Sequence, residues 1–160
     1  MILNRQRRVR VSVRDLEKFL AQASRVLRLP PGSFTVCLVT NAEIARWNRG
    51  YRGKQGPTDV LSFPAVAKES RPTTKRKLGT PHKHRGDFPF PRSSASYLGD
   101  IAIAPAVARR NARRFERTFE EEMRILIVHG MLHLMGYDHE TDTGQMDRRE
   151  RRVRRRLGLA

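Results

Sequence analysis

One helix that is apolar on nearly every side constrains the fold of this 160-residue chain most strongly. Thr118 and Glu121 have capping-box spacing and mark its start. Its apolar residues follow at positions that leave no polar face: Met123, Leu126, Ile127, Val128, Met131, Leu132 and Met135. A helix of this kind has to be buried. The sequence therefore predicts a central helix, surrounded by the other elements of the fold.

The end of this helix carries three of the five histidines in the chain. His129 and His133 are one turn apart, so their imidazoles leave the same helix face. Gly136 can adopt a left-handed conformation, end the helix and turn His139 back toward them. Three imidazoles suit a borderline-soft divalent ion, with Zn²⁺ as the first choice. We predict one Zn²⁺ held by these three histidines, with a fourth position open for water or substrate.

The spacing of these histidines equals that of the metzincin protease motif, H-E-x-x-H-x-x-G-x-x-H, with one difference. The motif glutamate, which acts as the general base, is replaced by Gly130. This replacement argues against peptide hydrolysis by that route and leaves the metal ligands in place. A glycine inside a buried helix also predicts a close approach of another element.

Charge is the strongest compositional signal. Lys and Arg number 33 against 16 acidic residues, a net charge of +17. Such an excess attracts polyanions and favours a nucleic-acid partner. The chain contains no apolar run of 18 residues, so no membrane span is predicted. The first residues lack the apolar region of a signal peptide. The single cysteine, Cys37, lies in an apolar run and is predicted to be a buried small hydrophobe in a cytoplasmic protein.

The pattern of strands and helices predicts an α+β fold. Strands are expected over residues 9–13, 34–39, 59–63 and 99–103, and further helices over about 15–28, from Thr40 to near Gly50, from Pro105, and over 145–157. This order favours a single domain spanning residues 1–160. It would contain a small four-stranded mixed sheet packed with about five helices, with the metal site on the central buried helix.

Residues 67–96 break this pattern. They contain eight Lys or Arg residues against two acids, many small and turn-forming residues, and no periodicity. We predict a flexible basic insertion, in which His82 and His84 are exposed and not metal ligands. The last helix is also rich in arginine, and a solvated face and a phosphate-contacting face are both compatible with it.

Three blocks together resemble the YbeY family, bacterial metal-dependent endoribonucleases of ribosomal RNA maturation. The first is the histidine stretch 129–139. The second runs from Tyr51-Arg52-Gly53-Lys54 through Pro57-Thr58-Asp59-Val60-Leu61-Ser62-Phe63-Pro64, and the third is Leu98-Gly99-Asp100-Ile101. The blocks lie in the family's order, and the resemblance covers most of the chain outside residues 67–96.

The resemblance implies a zinc-dependent endoribonuclease that prefers single strands and acts at the 3′ end of small-subunit rRNA, in ribosome biogenesis or quality control. Zinc would be held by His129, His133 and His139. Arg52 and His129 are the candidate catalytic residues, and Arg52 and Lys54 the candidate RNA-binding residues. The implied partners are single-stranded rRNA and the small ribosomal subunit or its associated factors, with no membrane and no small-molecule cofactor.

Two other functions remain open from the sequence. One is a non-catalytic RNA- or ribosome-binding factor that zinc stabilises, and the other is a metalloprotease on the same metal site. The sequence identifies no general base, because position 130 carries no carboxylate. Asp138 lies next to a predicted ligand, and we assign it a structural role, orienting a histidine or capping the turn.

Overall fold

A computed structural model describes residues 1–65, 97–139 and 141–159 of the protein. Its elements are β1 (Ile2–Asn4), α1 (Val13–Leu27), β2 (Phe34–Leu38), α2 (Asn41–Arg52), β3 (Val60–Pro64), β4 (Gly99–Ile103), α3 (Pro105–Arg114), α4 (Phe119–Leu134) and α5 (Gln145–Arg156). The predicted α+β class is confirmed. The predicted basic insertion, with His82 and His84, lies outside the described residues. Within the described ranges, no helix is long and apolar enough to cross a bilayer.

The four strands form one mixed sheet in the order β1-β2-β4-β3. β1 and β2 run parallel, as do β2 and β4, and β3 runs antiparallel to β4. All five residues of β2 are buried, as expected for a central strand whose two faces are both covered. The predicted mixed sheet is therefore confirmed.

Alternating residues of the central strands β2 and β4 belong to two separate hydrophobic cores. This is because successive side chains of a strand point to opposite faces of the sheet. Val36 and Ile101 face the larger core, which α1, α4 and α5 complete. Cys37 and Ala102 face the smaller core, which contains residues of α2 and α3: Ile44, Trp47 and Val107. Helix α4 thus lies against one face of the sheet and α2 against the other.

Helix α4 is the buried central helix that the sequence predicts. The Thr118 hydroxyl accepts from the Glu121 N–H at 3.1 Å, and the Glu121 carboxylate accepts from the Thr118 N–H at 2.8 Å. Gly130 lies close against the side chain of Ile101 in the sheet. A Cβ built there would lie 2.7 Å from Cγ2 of Ile101 in β4. Glycine is therefore required at this position by packing, as predicted.

The prediction of a first strand at residues 9–13 is wrong. The strand is Ile2–Asn4, which pairs with β2, and Val13 already belongs to α1. The buried Gln6 side chain explains the difference. Its Oε1 accepts from the Val9 N–H at 2.9 Å, and its Nε2 donates to the Val9 carbonyl at 2.9 Å. A side-chain amide thus satisfies the backbone groups that a neighbouring strand would otherwise pair with.

Helix α2 also extends further than predicted. The sequence placed its end near Gly50 and put Arg52 in a glycine-rich loop, whereas the helix continues through Arg52. The left-handed residue that ends it is Gly53, with φ of +67°, and the Gly53 N–H donates to the Arg49 carbonyl. Gly50 does not have a positive φ, so it lies within the last turn and does not end the helix. Of the two basic residues Arg52 and Lys54, Lys54 therefore lies in the loop and Arg52 in the helix.

Candidate functional site

The three predicted histidines converge at the end of α4. Nε2 of His133 lies 3.1 Å from Nε2 of His129, and one nitrogen from each of the three rings falls within 4.8 Å of the others. The ring of His139 lies 5.5 Å and 5.2 Å from those of His129 and His133, measured between centroids. These three residues, called here the histidine triad, could hold a metal ion.

A glycine turn brings His139 to the other two histidines. Gly136 has φ of +96°, and its N–H donates to the His133 carbonyl at 3.0 Å. The next N–H, that of Tyr137, donates to the Leu132 carbonyl at 3.1 Å. This pair of hydrogen bonds is the Schellman motif, which ends a helix and reverses the chain. The turn predicted at Gly136 is therefore present.

Asp138 contributes to the segment after this turn. Its carbonyl accepts from the N–H groups of Thr141 and Asp142, which shapes the chain next to His139. Its negative charge also acts on His133, where it favours the protonated form. Both observations agree with a structural and electrostatic role.

Glu150 of α5 contacts the histidine triad, and the sequence analysis did not predict this contact. Its Oε2 lies 2.9 Å from Nδ1 of His129, while Nε2 of the same ring faces His133. A carboxylate in this position holds the imidazole in one orientation and favours the tautomer with its proton on Nδ1, leaving Nε2 free to bind a metal. The other carboxylate oxygen of Glu150 lies 3.7 Å from the Arg154 guanidinium.

A signal for Glu150 did exist in the sequence. Met146 and Val153 form the buried seam of α5, and Glu150 lies between them at helical spacing, on the same face. A carboxylate on a buried seam needs a partner, because burial of an unpaired charge is costly. Only the tertiary structure shows that this partner is a histidine.

The pKa shifts of His133 and Glu150 favour the protonation states that a cation-binding site needs. Burial, together with the charges of His129 and His139, lowers the pKa of His133 to about 4 against the opposing effect of Asp138. His133 is therefore neutral near pH 7, the form that binds metals. Burial would raise the pKa of Glu150, but its hydrogen bond with His129 and the charges of His129 and Arg154 bring it below the usual value. The carboxylate beside His129 is thus ionised.

The candidate RNA-binding residues Arg52 and Lys54 lie at the end of α2 and in the loop that follows it. Arg52 is the last residue of α2, Lys54 follows Gly53, and both side chains are exposed. The end of α2 is held against β3, since the rings of Tyr51 and Phe63 lie 5.0 Å apart. The Asn48 amide donates to the Gly56 carbonyl at 3.0 Å and anchors the loop that carries Lys54.

Strand β3 connects the end of α2 to helix α4, which carries His129 and His133. Ser62 of β3 donates from its hydroxyl to the Gly130 carbonyl at 3.3 Å. At the start of the same strand, the Asp59 carboxylate accepts from the Asn111 amide of α3 at 2.9 Å. The block of residues 57–64 therefore supports the site by packing and hydrogen bonding between α2, α3 and α4.

The third sequence block, around Gly99 and Asp100, is also structural in its contacts. Gly99 has φ of +139°, and a Cβ there would lie 2.1 Å from the Phe63 carbonyl oxygen. The Tyr97 hydroxyl donates to Asp100 and lies 2.8 Å from the Thr35 hydroxyl. Burial raises the pKa of Tyr97 to about 12 and also raises that of Asp100. This network joins the ends of β2, β3 and β4.

Comparisons with known proteins show to which family the chain is similar. The family model described as Endoribonuclease YbeY matches residues 1–158. The Endoribonuclease YbeY of Sulfurovum sp. is 35% identical over 157 residues, which cover 98% of this chain and 90% of that protein. The Endoribonuclease YbeY of Solibacter usitatus is 39% identical over 126 residues, covering 79% and 67% respectively.

The fold is similar to that of a solved structure as well. The solution structure of TM1509 from Thermotoga maritima matches with a TM-score of 0.56 and 26% identity, covering 98% of this chain and 89% of that one. With the family model spanning nearly the whole chain and relatives at this level of identity, the resemblance predicted from three sequence blocks is confirmed. The chain belongs to the endoribonuclease YbeY family.

Proposed function

We propose that this protein is a zinc-dependent endoribonuclease that cleaves single-stranded RNA at the 3′ end of small-subunit rRNA, in the cytoplasm, during ribosome biogenesis or quality control. The observation that carries the proposal is the histidine triad, with Glu150 behind His129, in a chain of the endoribonuclease YbeY family. The net charge of +17 supports RNA as the substrate.

The triad fits zinc in donor type. Its three ring nitrogens lie within 4.8 Å of one another, and those of His129 and His133 are 3.1 Å apart, so all three could approach one ion. Three imidazoles with a carboxylate behind one of them are also the donor set that zinc favours. A bound Zn²⁺ would polarise a phosphoryl oxygen and acidify a water ligand.

The protein's own residues would perform the other tasks. His129, His133 and His139 would hold the ion, and Glu150 would fix the orientation of His129. Arg52 would donate its guanidinium to the phosphate, matching two oxygens at once and offsetting the charge that develops during cleavage. Lys54, in the anchored loop after α2, would contact a neighbouring phosphate as a point charge.

Packing at Gly130 counts against the metalloprotease alternative. A general base at this position would require a side chain, but the first carbon of any side chain would meet Ile101 of β4 at 2.7 Å. Position 130 therefore faces the sheet and not an open substrate cleft. The proposed endoribonuclease activity assigns no role to a carboxylate at this position.

Metal content and cleavage, measured together, test the proposal. We would purify wild type and His133→Ala, quantify bound zinc, and assay a labelled single-stranded fragment of the rRNA 3′ end. We expect stoichiometric zinc and cleavage in the wild type, with both lost in the variant and RNA affinity retained. Matched purification of the two proteins controls for contaminating nuclease, since cleavage by both alike would contradict the proposal.

The same pair of proteins distinguishes the non-catalytic RNA-binding alternative. In that case zinc serves only the fold, so His133→Ala would lower thermal stability and RNA binding together, and the wild type would bind RNA without cleaving it. Thermal unfolding and RNA binding measured on both proteins separate the two functions.

A further inference from the structure

Helix α5 presents a face of arginines that the metal site does not use. Arg148, Arg152 and Arg155 share one side of the helix at i, i+4 and i+7 spacing, and all three are exposed. Together with Arg151, Arg154 and the buried Leu159, they line a cavity of about 510 Å³. Among the described residues, no carboxylate lies within ion-pair distance of Arg152 or Arg155, in contrast to Arg151, which pairs with Asp147.

A second cavity, of about 290 Å³, adjoins the first. The two share Arg154 and Leu159, and the second extends to Phe115 and Arg117 in the turn between α3 and α4. Six arginines line the two cavities against two glutamates, Glu116 and Glu121, and Glu121 is occupied by capping α4. The combined surface, called here the arginine groove, is therefore strongly positive.

Phe115 gives this groove a second kind of contact. Its side chain is 49% exposed, which is unusual for a large apolar residue in this structure. The guanidinium carbons of Arg117 and Arg114 lie 5.1 Å and 5.7 Å from its ring centroid. Aromatic rings and guanidinium planes are the platforms on which unpaired bases stack. A positive groove with such a platform is the combination used by proteins that bind single-stranded nucleic acid.

We infer that the arginine groove is a second binding site for single-stranded RNA, in which Arg148, Arg152 and Arg155 contact phosphates and Phe115 stacks on a base. The inference rests on the proposed RNA substrate and adds a site remote from the reacting phosphate. Arg154 links the two sites, because it lines the groove and contacts Glu150, the partner of His129. Glu150 lies on the Nδ1 side of His129, so the groove lies behind the metal site and serves to retain RNA rather than to cleave it.

Binding measurements test this without requiring cleavage. We would titrate the protein against a fluorescein-labelled 20-nucleotide single-stranded RNA by anisotropy, at several salt concentrations. EDTA in the buffer would suppress the proposed metal-dependent cleavage, and a gel would verify that the RNA stays intact. In the triple variant Arg148→Gln/Arg152→Gln/Arg155→Gln, we expect Kd to rise at least tenfold. The slope of log Kd against log salt should fall by about 2, because each phosphate contact on a single strand contributes about 0.7.

A matched triple variant controls for net charge. Arg7, Arg8 and Arg10 are also exposed, and replacing all three by Gln removes the same charge from another surface. We expect this control to change Kd less than threefold. Equal weakening by the two triple variants would show a general charge effect and overturn the inference, as would a wild-type Kd in the groove variant.

Phe115→Leu tests the stacking platform separately. We expect affinity for the single strand to fall roughly fivefold or more, with no change for a duplex of the same length, whose bases are already stacked. An equal loss for single strand and duplex, or no loss for either, would overturn the assignment of Phe115. Because these readouts are affinities, a failure of cleavage by the wild type would contradict the proposed function and leave this result unaffected.

Discussion

The carboxylate of Glu150 lies 2.9 Å from Nδ1 of His129, on the side of the ring away from His133. Because a carboxylate behind a metal-binding histidine raises its basicity and fixes its ring, we expect Glu150→Gln to weaken Zn²⁺ binding about 10- to 100-fold. Competition with a chromophoric chelator would measure this. Asp147→Asn, an exposed acid one turn earlier on α5, is the matched control and should leave Zn²⁺ affinity unchanged.

Gly136 controls whether His139 reaches the other histidines. Its φ of +96° is strained for a β-branched residue, at a cost of about 1–3 kcal/mol. We expect Gly136→Val to lose most bound zinc and to lower the midpoint of thermal unfolding, and Gly136→Asn to retain more zinc because asparagine tolerates positive φ better. Gly50→Val is the control, since nothing lies within 4 Å of a Cβ there. Full zinc content in Gly136→Val would contradict this account of the turn.

Gly130 and Ile101 should be energetically coupled. We expect Gly130→Ala to destabilise the fold by about 1–3 kcal/mol through overpacking, since the new methyl group would meet the Ile101 side chain. Ile101→Ala opens a cavity at the same place, so the double variant should be less destabilised than the sum of the two single variants. Denaturant unfolding of all four proteins measures this coupling, and simple additivity would show that the two side chains do not compete for space.

The same clash predicts the result of restoring the protease motif. Gly130→Glu should lower stability further than Gly130→Ala, because it brings a carboxylate to a buried interface as well as a clash. We expect no peptidase activity against casein from the folded fraction of this variant. Peptide cleavage that requires Glu at position 130 would instead revive the metalloprotease alternative.

Arg52 should act on the rate of RNA cleavage. We expect Arg52→Ala to reduce kcat about 100-fold through loss of a donor to the developing charge. Arg52→Lys should recover only part of this, since lysine keeps the charge but lacks the two-pronged guanidinium. Arg49→Ala removes an exposed arginine one turn earlier in α2 and is the matched control. Equal kcat in Arg52→Ala and Arg49→Ala would mean that Arg52 only steers RNA.

Cys37 should be inert and should make stability depend on alkaline pH. Burial raises its thiol pKa to about 11, which outweighs the lowering effect of Arg5. An unfolded thiol loses its proton near pH 9, so its contribution to stability is complete below pH 9 and is lost as the pH rises from 9 to 11. We expect Cys37→Ala to lose stability less steeply than wild type over this range. In native wild type at pH 8, the thiol should react with a disulfide reagent far more slowly than after unfolding in guanidinium.

Local patterns in the sequence predicted the central helix and the arrangement of the histidine triad. The Thr118–Glu121 capping box, the apolar α4, the histidine spacing and Gly136 depend on residues within a few positions of one another, and the structure places all of them as the sequence predicts. Such features are readable because helix geometry converts a fixed spacing into a shared face. The family resemblance was readable for the same reason, since its three blocks are contiguous.

Features that depend on contacts between residues distant in the sequence were decided only by the tertiary structure. Residues 9–13 alternate like a strand, but Gln6 satisfies Val9 and the sheet takes Ile2–Asn4 instead. Glu150 lies 21 positions after His129 in the sequence, and it contacts the histidine triad because α5 packs beside α4. Phe115 and Arg154 meet at one surface only through the packing of the α3–α4 turn against α5. Sequence spacing fixes which side chains share a helix face, whereas packing between elements fixes what that face meets.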